Sequence, residues 1–86
     1  MDHKLAVFTI KGIVKEDHPI LYVVHDEDGS WQFLDGATVN MSDMMIVGLS
    51  EILQLDPTIE ELMSMKPGSE ANRESLDCPW RISQRS

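Results

Sequence analysis

The sequence predicts an α+β fold, a small and mainly antiparallel β-sheet covered by two short helices. Three observations carry that expectation. Runs rich in β-branched and aromatic residues fall at 5–10 and 20–25, an acidic glycine turn at 26–30 leads straight into Trp31-Gln32-Phe33-Leu34, and prolines punctuate helical apolar spacing between 50 and 67. Leu5 to Ile10 forms the first strand, which Lys11-Gly12 interrupts. Lys15-Glu16-Asp17-His18-Pro19 is a polar connection into Ile20-Leu21-Tyr22-Val23-Val24-His25, whose nearly continuous apolar character marks a central strand. In His25-Asp26-Glu27-Asp28-Gly29-Ser30, Gly29 accepts a positive φ and Asp28 bonds its own backbone, so residues 31–34 return antiparallel with Trp31 and Phe33 on one face.

The period changes after Asp35-Gly36. Residues 37–43 are irregular, and Met44-Met45-Ile46-Val47 fits either a short strand or the approach to a helix. Ser50 is placed to cap a helix over 50–55. Pro57 suits the first position of a second helix over 57–65, with Ile59, Leu62, Met63 and Lys66 at helical spacing and Glu60 and Glu61 near the positive end of its dipole. Pro67-Gly68 stops it. A last strand is expected near 69–74, followed by packing of Cys78-Pro79-Trp80-Arg81-Ile82, with 83–86 frayed. The predicted core comprises Trp31 or Phe33, Leu21, Val23, Ile52, Leu55, Ile59, Leu62 and Trp80.

Composition limits the function classes. A chain of 86 residues has one modest core in a single domain and little room for a walled active site. Its net charge of −8 repels phosphate backbones, so no nucleic-acid partner is expected. The charge is uneven: residues 1–66 carry 4 Lys against 12 acids, whereas 67–86 balance 3 Arg with 3 acids. Cys78 stands alone, which excludes an intrachain disulfide and agrees with a reducing cytoplasm. The N-terminal run is too short and too acidic for a signal peptide, and no stretch approaches the roughly 18 apolar residues of a membrane span. A cytoplasmic protein without a membrane partner is expected.

Sites for chemistry fail on spacing. Asp26-Glu27-Asp28-Gly29 offers carboxylates to a hard cation, but an EF-hand register started at Asp26 puts Gly29 and Ala37 where the loop requires other residues. His3, His18 and His25 show no ligand spacing, so neither metal nor cofactor is predicted. Glu60 and Glu61, adjacent on a helix, face different directions. Cys78 with Arg81 nearby supplies a thiol and a cation without an assignable base. The methionines, among them Met41, Met44, Met45, Met63 and Met65, suit either core or an adaptable contact surface, and Met63 and Met65 cannot both face inward on one narrow helical stripe.

Residues 19–33, Val47-Gly48-Leu49-Ser50-Glu51-Ile52, Leu55-Asp56-Pro57-Thr58-Ile59, Leu62, Pro67-Gly68, Ala71, Arg73-Glu74 and Pro79-Trp80 form a pattern that resembles a family of small uncharacterised bacterial proteins. The order of Gly-x-Trp-x-Phe hairpin, Asp-Pro helix and Pro-Gly-x-x-Ala strand is similar to a domain of unknown function grouped with immunity proteins of the immunity protein 33 type. The resemblance implies an α+β fold and brings no catalytic residue with it.

The leading expectation is a non-enzymatic interaction domain in which Asp26, Glu27, Asp28 and Trp31 meet an unidentified, basic protein partner, as an immunity protein would meet a basic toxin. The competing class is a small ligand-binding domain or enzyme using Cys78, Arg81 or His25 in a cleft between sheet and helices. A homodimer seamed by the surplus apolar residues is the third reading.

Overall fold

A computed structural model of the chain describes residues 5–37 and 40–84. Alternation dictates the first strand, β1 (Ala6–Ile10): Val7 and Thr9 are buried while Ala6 and Phe8 stay exposed, the period-two pattern of a sheet covered on one side. The chain then makes a single helical turn, α1 (Lys11–Lys15), where the sequence promised only an interruption. Ile13 drives it, 1% exposed beneath the sheet, and Asp17 reverses the chain with φ 57°.

Strands β2 (Tyr22–His25) and β3 (Trp31–Leu34) form the expected hairpin, with Val23 opposite Phe33 and His25 opposite Trp31. β4 (Met44–Gly48) settles the open choice at 44–47 in favour of a strand, antiparallel to β1. β5 (Ser69–Asn72) lies where a final strand was expected, but β6 (Arg81–Gln84) follows it. Ser83 and Gln84, expected to fray, instead pair with Glu70 and Ser69. The sheet runs β4-β1-β3-β2-β5-β6, antiparallel except where β1 meets β3.

Cover comes from α2 (Leu49–Leu55) and the 3-10 helix Pro57–Leu62. Ser50 does not cap α2. The helix starts one residue earlier because the N–H of Leu49 donates to the carbonyl of Leu5 at 2.8 Å, so a strand bond satisfies the first helical donor and Leu49 is fully buried. The second helix is tighter and shorter than the expected 57–65. Three residues per turn align Ile59 and Leu62, which are 0 and 1% exposed; beyond the helix's end Met65 is also buried, while Met63 is half-buried and Lys66 lies in solvent. Asp56 caps this helix through the Thr58 N–H at 3.0 Å.

Both Trp31 and Phe33 enter the core, joined by Val7, Ile13, Ile20, Leu49 and Ala71, none of them foreseen. Three expected core residues are displaced outward: Leu55 is 45% exposed, and Leu21 and Trp80 are half-buried. Among the described residues no helix is long and apolar enough to cross a membrane.

Candidate functional site: the acidic hairpin

The β2–β3 turn is built from its own side chains. The Asp26 N–H donates to the Ser30 carbonyl at 2.8 Å, and the Gly29 N–H to the Asp26 carbonyl at 2.9 Å, with Gly29 at φ 93°. Asp28 accepts from the Ser30 N–H at 3.0 Å and from the Ser30 hydroxyl at 2.8 Å. These donors, the backbone N–H first, hold the Asp28 carboxyl below the ordinary aspartate range, and the group is open to water. Asp26 accepts from the Gln32 side-chain amide at 2.8 Å. Glu27 is exposed, lying over Gly68 at the start of β5. Three carboxylates are thus displayed at one tip.

The tip is braced from within. The His25 ring stacks on Trp31 with centroids 3.8 Å apart and an interplanar angle of 11°, and Trp31 stacks in turn on Phe33 at 6.1 Å. His25 Nδ1 donates to the Met65 carbonyl at 2.9 Å, and the Gly68 N–H donates to the His25 carbonyl at 2.6 Å. This corrects the expectation for Trp31. At 4% exposure its ring cannot be a contact surface; it supports the turn that carries Asp26, Glu27 and Asp28.

Alternation extends the acidic surface. Asp26, Val24 and Tyr22 occupy the sheet face opposite the helices, and Glu70 lies beside Val24 on β5, where it accepts from the Tyr22 hydroxyl. The short-range sequence pattern of 26–28 did not include Glu70, because only strand register brings it alongside.

The residues assigned to the competing class are not brought together. His25 pairs with Ser69 at one end of β2 and faces the helices. Arg81 pairs with Asn72 at the other end, on the opposite face, and is held by Glu74 at 3.1 Å. Cys78 contacts the Ser75 hydroxyl at 3.4 Å. A cleft of about 380 Å³ does open between sheet and helices, but Ile13, His18, Asp56, Thr58, Arg73 and Leu76 help line it, and neither Cys78 nor Arg81 does.

Sequence reasoning also missed the polar groups of that cleft. Arg73, its side chain 2% exposed, donates to Asp56 at 2.5 Å, to the Ile20 carbonyl at 2.9 and 3.1 Å and to Thr58 at 3.3 Å, with its guanidinium 4.0 Å from the Trp80 ring centre. This buried cation is already neutralised and ties β5 to the cap of the 3-10 helix. His18 Nδ1 lies 3.1 Å from Asp35, beside Gly12, where an added Cβ would stand 2.5 Å from the ring nitrogen. Pro57 was legible as a helix start, but neither the cap that Asp56 supplies nor its partner 17 residues later was.

Among the described residues no group of three or more His, Cys, Asp or Glu side chains is arranged to hold a metal ion. No family model, curated protein or solved structure matches the chain.

Proposed function

We propose that the protein is a non-enzymatic interaction domain whose β2–β3 tip receives a basic protein surface. The observation that carries this reading is the tip itself, where Asp26, Glu27 and Asp28 lie together on a hairpin held by Ser30, Gln32 and the His25–Trp31 stack. Bracing lowers the ordering cost of binding, because a partner meets carboxylates whose backbone is already held. The chain's net charge of −8 adds a long-range attraction for a basic partner. An immunity protein that neutralises a basic toxin is the specific form this takes, following the resemblance of the hairpin, Asp-Pro and Pro-Gly segments.

The test begins with the immobilised protein, a native bacterial lysate and elution by a salt gradient, followed by association kinetics with whatever basic protein is retained. Steering predicts that the association rate falls roughly tenfold or more between low and physiological ionic strength. The double substitution Asp26→Asn with Asp28→Asn should slow association while leaving the folded spectrum unchanged. Rates indifferent to both salt and substitution would remove the acidic tip from the binding surface.

A further inference from the structure

The cleft between sheet and helices opens at the end of β2 away from the acidic tip, where Ile20 enters the sheet and Arg73 leaves it. Its volume of about 380 Å³ is that of a small-molecule site. Ile13 and Ile20 form buried wall, while Leu55 and Leu76, 45 and 59% exposed, stand at its rim. The two leucines leave apolar surface in water that a guest in the cleft would cover.

The polar floor is a hydrogen-bonded set with one group left over. Asp56 accepts at both oxygens, at Oδ1 from the Thr58 N–H and hydroxyl and at Oδ2 from Arg73 Nη2. The Ile20 carbonyl accepts twice, from Arg73 Nε and Nη2. The Thr58 hydroxyl, which donates to Asp56, accepts from Arg73 Nη1 at 3.3 Å. A guanidinium carries five N–H donors. One bond from Nε, two from Nη2 and one from Nη1 leave the second Nη1 N–H without an acceptor among the described residues, on a side chain only 2% exposed. A buried donor without an acceptor is costly, so the cleft favours a guest that brings an acceptor.

Charge decides what kind of acceptor. Asp56 already cancels Arg73, Asp17 sets a solvent-facing carboxylate at the mouth, and the chain as a whole carries −8, so an anionic guest meets repulsion without a free cation. A cationic guest finds both Asp56 oxygens already bonded. We infer that the cleft is a binding site for a small uncharged molecule with an alkyl body and one carbonyl oxygen. The oxygen accepts from Arg73 Nη1, and the alkyl body lies against Ile13, Ile20, Leu55 and Leu76. The cleft shares no residue with the Asp26–Asp28 tip, so the site stands apart from the interaction surface proposed above.

Three probes that share an eight-carbon body and differ in the head group test the assignment: octan-2-one, octanoate and octylammonium. In titrations followed by methyl and arginine side-chain NMR, octan-2-one should move the methyl signals of Ile13, Ile20, Leu55 and Leu76 and the Arg73 Nη–H signals along one saturable curve. Both charged probes should bind more weakly by roughly tenfold, because each must bury an unpaired charge. Leu76→Glu, at an exposed position, should weaken octan-2-one binding by about the same factor and leave the circular dichroism spectrum unchanged. The inference is overturned by an octan-2-one titration that does not saturate, by a charged probe that binds as tightly as the ketone, by methyl shifts without movement of the Arg73 signals, or by a folded Leu76→Glu variant with unchanged affinity. Should Leu76→Glu fail to fold, Leu55→Glu takes its place, and the head-group comparison on the unmodified chain decides in either case.

Discussion

Ser30 does more at the acidic tip than its size indicates, because its N–H and hydroxyl both serve Asp28 while the hydroxyl also lies 3.3 Å from Asp26. The sign of the consequence follows from linkage. A carboxyl whose folded pKa lies below its unfolded value adds stability that is present above the unfolded pKa and is lost as pH falls through the folded one. Ser30→Ala removes the hydroxyl donor and keeps the N–H, so the Asp28 titration midpoint should rise part of the way toward the ordinary aspartate range. Carboxyl chemical shifts followed through an acid titration check this, and an unmoved midpoint would deny the hydroxyl its role. Arg73 is the contrasting residue. Its fork spans Asp56, the Ile20 carbonyl and Thr58 out of water, a set of bonds that a lysine's point charge does not reproduce.

At the scale of elements, β3 is the strand on which the core and the tip both depend. Its helix-facing residues Trp31 and Phe33 are 4 and 0% exposed, and the Phe33 carbonyl accepts from the buried Thr9 hydroxyl at 2.8 Å, joining β3 to its parallel neighbour. Removing a buried tryptophan costs about 3–5 kcal/mol, a large part of the stability of a domain this small. Trp31→Ala should therefore unfold the protein or bring it close to unfolding. Trp80→Ala should cost less, because Trp80 is only half-buried and its contact with Arg73 is cation–π stacking at the margin of the core. Denaturant titration of the two variants ranks them, and equal losses would contradict the difference in burial. The segment after Asp56 shows how an element's type changes which residues it buries. Ile59 and Leu62 are three residues apart, and a 3-10 helix puts that spacing on one line, whereas the expected 3.6-residue turn continued the helix to Met63 and Lys66.

The chain is strongly acidic, and among the described residues its helices lie over one face of the sheet. Its net charge of −8 works against compaction by self-repulsion, which dissolved salt screens over about 10 Å at 0.1 M. The melting temperature should rise as salt is added from low to physiological ionic strength. A scanning fluorimetry series in sodium chloride checks this, and a fall in melting temperature would show that the ion pairs Arg73–Asp56 and Arg81–Glu74 outweigh the repulsion. The same salt series weakens steering toward a basic partner, so stability and association rate should move in opposite directions. Such divergence separates the net charge of the chain from the local charge of its tip.

Much of the fold was legible because it is written in neighbours. The β-branched run of β1, the Asp-Gly turn between β2 and β3 and the helix start at Pro57 depend on residues a few positions apart, and the sequence by itself determined where these elements begin and the acidic tip. It could not order the strands, because β1 beside β3 and β5 beside β2 are pairings across long stretches of chain. Only the tertiary structure placed Trp31 under the tip rather than on it, brought Glu70 beside Val24 and Tyr22, gathered Arg73, Asp56 and Trp80, and set β4 at one end of the strand order. The physical reason is that burial and strand register are properties of surfaces meeting in space. A residue's neighbours along the chain constrain its backbone, while its exposure is set by whichever distant surface packs against it.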